Sequence, residues 1–286
     1  NPQTLWFSKA GDYENFTTGT NADDAMIYTI ASNQVNAIQY LKAVRTLVVG
    51  TSGGEFTVSA DGTDASITPT NVTIKRQSSF GSAGVDAIPA GNAVLFLQKA
   101  KRKIRELAYN FDSDGYVAPD LTILNDTVTK SGVNQMIFQQ EPDSIIWCVR
   151  DDGVLAGLTY QRSENVVAWH RHIFGGSFGS GNSVCESAAS ISGTLTEDEL
   201  WVIVKRTING ATKRYVECFS DFDFDETTAT DFKFLDSHLN YSGSATTTLS
   251  GLSHLEGQTV SILADGSVHA NKTVSSGSIT LDRSVT

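Results

Sequence analysis

Two stretches of the chain match G-x-S-x-G, the nucleophile-elbow pattern in which a serine attacks an acyl group. They are Gly50-Thr51-Ser52-Gly53-Gly54 and Gly175-Gly176-Ser177-Phe178-Gly179. An elbow requires a strand before the serine and a helix after it. Ser52 is instead followed by the strand-like residues 55–59, and Ser177 is followed by a Gly/Ser-rich loop. We therefore expect neither serine to be a nucleophile, and we predict no catalytic residue and no enzymatic activity.

A pair of histidines, His170 and His172, stands at i, i+2 in a strand-like segment. On a strand both imidazoles can project to one side, as two metal ligands would. A third ligand at local spacing is missing. We therefore expect the two rings on a polar face, at a sheet edge or a subunit contact, without a metal.

A run of alternating acids, Asp221, Asp223 and Asp225, has the D-x-D-x-D spacing that opens a calcium loop. Glu226 replaces the glycine that the turn of such a loop requires, and no closing glutamate follows at the EF-hand spacing. We therefore favour a solvated acidic loop over an ion site.

Other kinds of site lack a recognisable pattern. A glycoside hydrolase takes its two carboxylates from distant parts of the chain, so the pair is not visible in the sequence. The sialidase Asp-box, S-x-D-x-G-x-T-W, is absent, and residues 59–63 (SADGT) resemble it only loosely. Cys148, Cys185 and Cys218 are odd in number and lie in apolar segments, which favours reduced, buried thiols. We predict no metal and no cofactor.

Composition narrows the class of protein. The 286 residues are 40% apolar, and no run approaches the roughly 18 apolar residues of a membrane span. The first residues lack the basic and apolar regions of a signal peptide, so we expect a soluble protein without an export signal. We also expect a fragment of a longer gene product, since the chain lacks an initiating Met and its last residues still resemble a strand.

Charge is unevenly distributed. The net charge of −11 argues against general affinity for phosphate backbones, which requires neutralising cations. One local exception is a basic cluster within residues 99–105, formed by Lys99, Lys101, Arg102, Lys103 and Arg105. Three interpretations stay open for this cluster: a solvated turn, ion pairing with an acidic neighbouring subunit, and contact with nucleic acid.

Four short apolar runs recur along the chain, at Thr46–Val49, Ala93–Leu97, Ile145–Val149 and Leu200–Val204. Their starting points are separated by 47, 52 and 55 residues, which is near the period of a four-stranded propeller blade. Each run is followed by a turn signal and a second strand-like segment, as at Gly53-Gly54, Asp152-Gly153 and Asn209-Gly210. The repeat therefore predicts four hairpins in register.

The remaining segments complete the predicted fold. Residues 145–172 predict a three-stranded meander. Four further strand candidates each precede one of the four runs and would complete its blade of about four strands: Ala25–Ile30, Val72–Arg76, Met136–Gln140 and Glu186–Ser192. Helices are scarce, and Asp120–Thr129 is a short connector at most. We predict an all-β chain with an irregular or incomplete propeller of about four-stranded blades over residues 1–241. A small β module follows over 242–286, with strands at Thr259–Ala264 and Ser278–Leu281.

Five segments carry a resemblance to a known family. They are "NPQTLWFSKAGDYENF" at 1–16, "TIASNQVNAIQYLKAVRTLVVGTSGGEF" at 29–56, "VLFLQKAKRKIRELAYNFDSDGYVAPDLTIL" at 94–124, "VLAGLTYQRSENVVAWHRH" at 154–172 and "GLSHLEGQTVSILADG" at 251–266. In order and over nearly the whole chain, they resemble bacteriophage tail nozzle proteins. These are the tail tubular protein B type of short-tailed phages, related in role to packaged-DNA stabilisation proteins.

The resemblance implies a structural protein of the virion tail, built on an irregular β-propeller. It implies a six-fold ring beneath the portal and its adaptor, with other tail proteins as partners and genome DNA passing along the axis. The family contributes no catalytic motif. Two other interpretations stay open: a tail protein that binds or depolymerises bacterial surface glycans, and a propeller scaffold from an integrated prophage.

The negative net charge fits a channel wall, because a wall that neutralised phosphates would hold DNA and slow its ejection. We expect acids such as Asp221, Asp223 and Asp225 to line the channel or face solvent. The cluster at 99–105 would then meet an acidic partner surface, and reversing the charges of Lys101 and Lys103 should impair ring assembly.

Overall fold

The computed structural model describes residues 1–31, 36–62, 65–193, 197–220 and 235–286. These residues form an all-β protein of 23 strands in many small antiparallel sheets, as predicted. Within those ranges the only helical turns are two 3₁₀ segments, Arg162–Glu164 and Ser253–Leu255. The segment Asp120–Thr129, predicted to be a short connector, consists mainly of consecutive turns.

The N-terminal strands form a two-stranded ribbon of β1 (Thr4–Phe7) and β2 (Met26–Thr29). The prediction that Ala25–Ile30 belongs to a four-stranded blade is therefore wrong, because β2 pairs with β1 instead. Leu5 and Ile30 join a buried cluster with Val49, Phe56 and Val58 of the next sheet. The ribbon thus covers one face of that sheet.

The first four-stranded sheet, called blade 1, is an antiparallel meander. Its strands are β3 (Ile38–Ala43), β4 (Leu47–Thr51), β5 (Gly54–Ser59) and β6 (Thr73–Ser78). The predicted hairpin at Gly53-Gly54 joins β4 to β5. Val72–Arg76 was predicted to begin the next blade, but β6 pairs with β5 and therefore completes blade 1.

Blade 2 repeats the same strand order. Its strands are β7 (Ile88–Ala90), β8 (Ala93–Leu97), β9 (Ile104–Asn110) and β10 (Gly115–Val117). The apolar run predicted at Ala93–Leu97 is β8, and all five of its residues are buried. A run without polar alternation is typical of a strand that is covered on both faces.

Strand β8 divides its side chains between two apolar clusters. Val94 and Phe96 point to one face and pack with Tyr40 and Val48 of blade 1. Leu95 and Leu97 point to the other face and belong to a second cluster. Blade 2 is therefore a wall shared by two cores, one on each face.

Blade 3 supplies the second of those cores, through Ile146 and Cys148. Its strands are β11 (Val133–Gln139), β12 (Ile145–Arg150), β13 (Leu155–Gln161) and β14 (Val166–His172), paired in that order. The predicted meander over residues 145–172 is confirmed, with its turn at Asp152-Gly153. The strand predicted at Met136–Gln140 is β11, the other neighbour of β12.

The later residues form smaller sheets. After the short hairpin of β15 (Ser177–Phe178) and β16 (Gly181–Asn182), a three-stranded sheet contains β17 (Val184–Ser192), β18 (Asp198–Ile208) and β19 (Ala211–Cys218). The hairpin predicted at Asn209-Gly210 joins β18 to β19. This sheet has three strands rather than four within the described part of the chain.

A buried cation anchors this three-stranded sheet. The Arg206 side chain on β18 is 2% exposed and forms a bidentate ion pair with Glu217 on β19. Its Nε also donates to the carbonyl oxygen of Gly175 at 2.8 Å. All three guanidinium nitrogens therefore have a hydrogen-bond acceptor, as a buried charge requires.

The last four strands form two antiparallel pairs around a small core of their own. They are β20 (Thr246–Ser250), β21 (Thr259–Ala264), β22 (Ser267–Thr273) and β23 (Ser278–Val285), paired β20–β23 and β21–β22. The core contains Leu252, Val274 and Ile279. Both strands predicted in this region are present, and the predicted domain limits, 1–241 and 242–286, stay predictions.

The described chain divides into two compact units. One unit comprises Asn1–Phe138, Ser144–Asp151 and Ala156–His170, and the other comprises Gln139–Asp143, Asp152–Leu155 and Arg171–Thr286. The first unit therefore contains the ribbon, blades 1 and 2, and most of blade 3. The second contains the three-stranded sheet and the last four strands.

Candidate functional site

Neither G-x-S-x-G stretch has the geometry of a nucleophile elbow. Ser52 lies in the tight turn between β4 and β5, where the Thr51 hydroxyl donates to the carbonyl oxygen of Gly54 at 2.6 Å. Ser177 begins the two-residue strand β15. No helix follows either serine, which confirms the local context expected from the sequence. Gly50 serves packing, because a Cβ there would lie 2.1 Å from the Tyr40 ring.

A buried carboxyl group that the sequence did not single out lies just after the first of these turns. Glu55 is fully buried, and its Oε1 accepts a hydrogen bond from the Ser82 hydroxyl at 2.8 Å. The Ser78 hydroxyl donates to the other carboxyl oxygen. Burial raises the pKa of Glu55, an effect that these hydrogen bonds and the Arg105 charge partly offset. Because Glu55 has no access to solvent, its role is to hold strands β5 and β6 to the segment before blade 2.

Glu55 should make the stability of the protein depend on pH. Its folded-state pKa lies above the ordinary value of 4.5, so folding favours the protonated carboxyl. The resulting stabilisation is complete below that value and is lost as pH rises through the folded-state pKa. We expect the free energy of unfolding of wild type to fall relative to that of Glu55→Gln as pH rises, as measured by urea titration at a series of pH values. The exposed Glu164→Gln variant should follow wild type, and parallel curves for Glu55→Gln and wild type would refute the assignment.

The basic cluster at residues 99–105, here called the basic turn, joins β8 to β9. Lys101 adopts a left-handed backbone with φ 61°. Three of its five cations have partners inside the chain. Lys101 Nζ donates to Asn134 Oδ1 at 2.9 Å, and Lys103 Nζ lies 2.8 Å from an Asp120 carboxylate oxygen. These contacts tie the turn to the start of the connector between blades 2 and 3 and to strand β11.

Arg105 is the third cation of the basic turn with internal partners. Its guanidinium donates to Gln98 Oε1 and to the carbonyl oxygen of Ala118, at 2.8 and 2.7 Å. It also stacks 3.5 Å above the centre of the Phe80 ring. Lys99 and Arg102, in contrast, are exposed and form no ion pair with any residue in the described ranges. The structure therefore leaves two of the five cations available to a partner.

The two histidines lie on β14, an edge strand, and each packs on an aromatic ring. The His170 ring meets Trp147 edge to face, with centroids 5.3 Å apart. The His172 ring meets Phe219 in the same way at 5.6 Å, and burial lowers the pKa of His172. The expected position at a sheet edge is confirmed, and the rings there are half-buried against aromatic neighbours. Trp169, the residue before His170, packs against the cluster between blades 2 and 3, and its Nε1 donates to the carbonyl oxygen of Leu121 at 2.9 Å.

Space for the His170 ring comes from Gly157 on β13. A Cβ at Gly157 would lie 2.0 Å from His170 Cε1. Gly157→Ala should therefore force the ring off Trp147 and lower the free energy of unfolding by about 1–3 kcal/mol. Gly181→Ala is the matched control, since its Cβ would meet no atom closer than 3.8 Å. Equal urea midpoints for the two variants would contradict the packing described.

The structure brings no candidate metal ligands together among the residues that it describes. No group of three or more His, Cys, Asp or Glu side chains within the described ranges is arranged to hold a metal ion. The acidic run of Asp221, Asp223 and Asp225 lies outside the described residues. Asp61 belongs to the segment that loosely resembles the sialidase Asp-box. Its backbone N–H donates to Asn71 Oδ1 at 2.9 Å.

The cysteines are free thiols, as expected. Burial raises the pKa of the Cys148 thiol to about 12 and that of Cys185 to about 11. Cys218 corrects the expectation that all three are buried, because it is exposed. It lies opposite Trp201, at the end of β19, on the outer face of the three-stranded sheet.

None of the helical segments in the described part of the chain is long and apolar enough to cross a membrane. No protein-family model and no curated protein sequence matches the chain. The basic turn is the candidate functional surface, because Lys99 and Arg102 are exposed there and form no ion pair with any described residue.

Proposed function

We propose that the chain is a structural part of a phage tail, within the nozzle ring that closes the DNA exit channel and conducts genome ejection. The observation that carries this proposal is where the resembling segments fall in the fold. Residues 29–56 span β3 and β4, residues 94–124 span β9 and β10, and residues 154–172 span β13 and β14. The resemblance to tail nozzle proteins therefore lies on the strands of all three blades.

Two physical features support a wall that lets DNA pass. The central strand β8 of blade 2 is buried on both faces, so blade 2 shares one apolar core with blade 1 and another with blade 3. The net charge is −11, and internal partners occupy three cations of the one basic cluster. Such a protein offers few cations to phosphates and so has little tendency to retain DNA by counterion release.

The proposal includes the partners and location that the nozzle role requires. The full-length protein would form a six-fold ring and contact the tail adaptor and other tail proteins. Genome DNA would pass through the ring without sequence-specific binding. The protein would be located in the virion tail, and in the host cytoplasm during assembly.

Immunogold electron microscopy of the phage particle tests this function, with antibody raised against the 286-residue chain. We expect gold label on the axial tail stub. Label on peripheral fibres or spikes, or none on the particle, would refute the nozzle role. Antibody blocked with excess purified chain is the control for nonspecific label.

Glycan recognition is the second candidate function, favoured by aromatic rings on the rim of blade 2. Phe111 is 86% exposed in the turn between β9 and β10. Tyr109 and Tyr116 meet edge to face at 5.8 Å, and the Tyr109 hydroxyl donates to Asp114 Oδ1 at 2.6 Å. Exposed rings beside a carboxylate are suited to stacking on sugars. Release of reducing sugars from host polysaccharide would establish this alternative.

A further inference from the structure

A second charged surface lies in the loop between β1 and β2, and we call residues 12–16 the acidic aromatic loop. Asp12 and Glu14 are exposed and form no ion pair with any residue that the structure describes. Beside them, Tyr13 is 80% exposed and Phe16 is 51% exposed. The loop therefore presents two available carboxylates together with two aromatic rings.

Backbone contacts hold this loop in place. The Lys9 N–H donates to the carbonyl oxygen of Asn15 at 2.8 Å, and the Ala10 N–H donates to that of Asp23 at 2.9 Å. Asn15 Oδ1 accepts from the Thr17 N–H at 2.9 Å. An ordered loop loses little conformational entropy when a partner binds, so its exposed rings can contribute to affinity.

The basic turn is complementary to this loop in charge and in chemistry. Its available cations are Lys99 and Arg102, and the Lys99 N–H donates to the carbonyl oxygen of Gly81, next to Phe80. Phe80 is partly exposed beneath Arg105. The acidic aromatic loop thus combines carboxylates with aromatic rings. The basic turn combines cations with the Phe80 ring, on which the Arg105 guanidinium stacks.

We propose that the acidic aromatic loop of one copy of this chain docks on the basic turn of a second copy. The proposal rests on the proposed ring-forming function. The two surfaces are different parts of one chain, so each copy can bind one neighbour through its loop and another through its turn. Such heterologous contacts close into a ring when the rotation between subunits permits it. Nucleic acid is the poorer occupant, because two available cations neutralise few phosphates.

Sedimentation velocity of the 286-residue chain at low and high salt tests the contact. We expect self-association at about 20 mM salt that weakens at about 500 mM, because salt screens exposed charges. The variants Asp12→Lys/Glu14→Lys and Lys99→Glu/Arg102→Glu should each weaken association by at least about tenfold. A chain that stays monomeric at both salt concentrations would overturn the proposal.

Mixing the two reversed variants provides the decisive measurement. The first carries a positive loop and a positive turn, and the second carries a negative loop and a negative turn. Neither should self-associate, whereas the mixture should recover association because each loop again meets a turn of opposite sign. Lys75→Glu/Lys213→Glu, at exposed positions on β6 and β19, is the control and should associate like wild type. A mixture that fails to associate, or a control that loses association, would refute the specific contact.

The two experiments separate failure of the contact from failure of the function. Gold label on the tail stub, together with no recovery in the mixture, overturns the contact and leaves the nozzle role standing. Recovery in the mixture with label away from the stub supports the contact and overturns the nozzle role.

Discussion

Phe96→Ala is expected to lower the free energy of unfolding by about 3–5 kcal/mol. Phe96 has no exposed surface, and it packs with Tyr40 and Val48 between blades 1 and 2. Truncation to Ala removes most of the ring contacts and leaves a cavity that strands β4 and β8 cannot close without moving. Urea unfolding followed by tryptophan fluorescence measures the loss.

Phe111→Ala is the matched control, since Phe111 is the same residue type on the same blade but is 86% exposed. Its truncation should change the free energy of unfolding by less than about 0.5 kcal/mol. If the Phe96 variant lost less than about 1 kcal/mol, the packing of blade 2 against blade 1 would be wrong.

The second large effect is expected at the buried ion pair of the three-stranded sheet. Arg206→Met should lower the free energy of unfolding by about 3 kcal/mol, because it leaves Glu217 without its cation and the carbonyl oxygen of Gly175 without its donor. Glu217 keeps some access to solvent, which places the loss at the lower end of the range for breaking a buried pair. Thermal and urea unfolding both measure it.

Two further variants separate the buried charge from lost packing. Arg206→Met combined with Glu217→Leu removes both charges and should recover part of the stability. Arg214→Met on the neighbouring strand β19 breaks a pair with Glu186 that is exposed to solvent, so its effect should be much smaller. Equal losses for the Arg206 and Arg214 variants would contradict the account of a buried cation.

Local signals in the sequence predicted the hairpins well. Gly53-Gly54, Asp152-Gly153 and Asn209-Gly210 each lie at a turn that joins the expected strands. Turn chemistry depends on neighbouring residues, so it can be read along the chain. The apolar runs also became central strands, and the run at Ala93–Leu97 is buried along its whole length, as a run without polar alternation predicts.

Pairings between distant residues were not predictable in this way. Residues 73–78 are the fourth strand of blade 1 rather than the first of blade 2, because the partner of an edge strand is set by tertiary packing. Strand β7 was missed since it has only three residues and contains Pro89. Glu55 was missed because a glutamate at a strand start is usually exposed, and its burial depends on Ser78 and Ser82, 23 and 27 residues away.

The basic turn shows the same limit at the candidate site. Sequence located the five cations but gave no way to rank them, and the expected test reversed Lys101 and Lys103. The structure shows that Lys103 pairs with Asp120, so its reversal would also disrupt the fold near the connector. Lys99 and Arg102 are the sharper targets, because their side chains make no such internal pair with any described residue.

Because β8 contributes side chains to two cores, it affects which substitutions blade 2 can tolerate. If β8 slipped by one residue, Leu95 and Leu97 would exchange places with Val94 and Phe96, so one apolar set would replace another. Hydrophobicity opposes such a slip far less here than in a sheet with one polar face. The left-handed backbone at Lys101 instead fixes the turn that sets the alignment of β9. Core residues of blade 2 can therefore diverge to others of similar size, whereas a β-branched residue at position 101 would endanger the alignment of the whole blade.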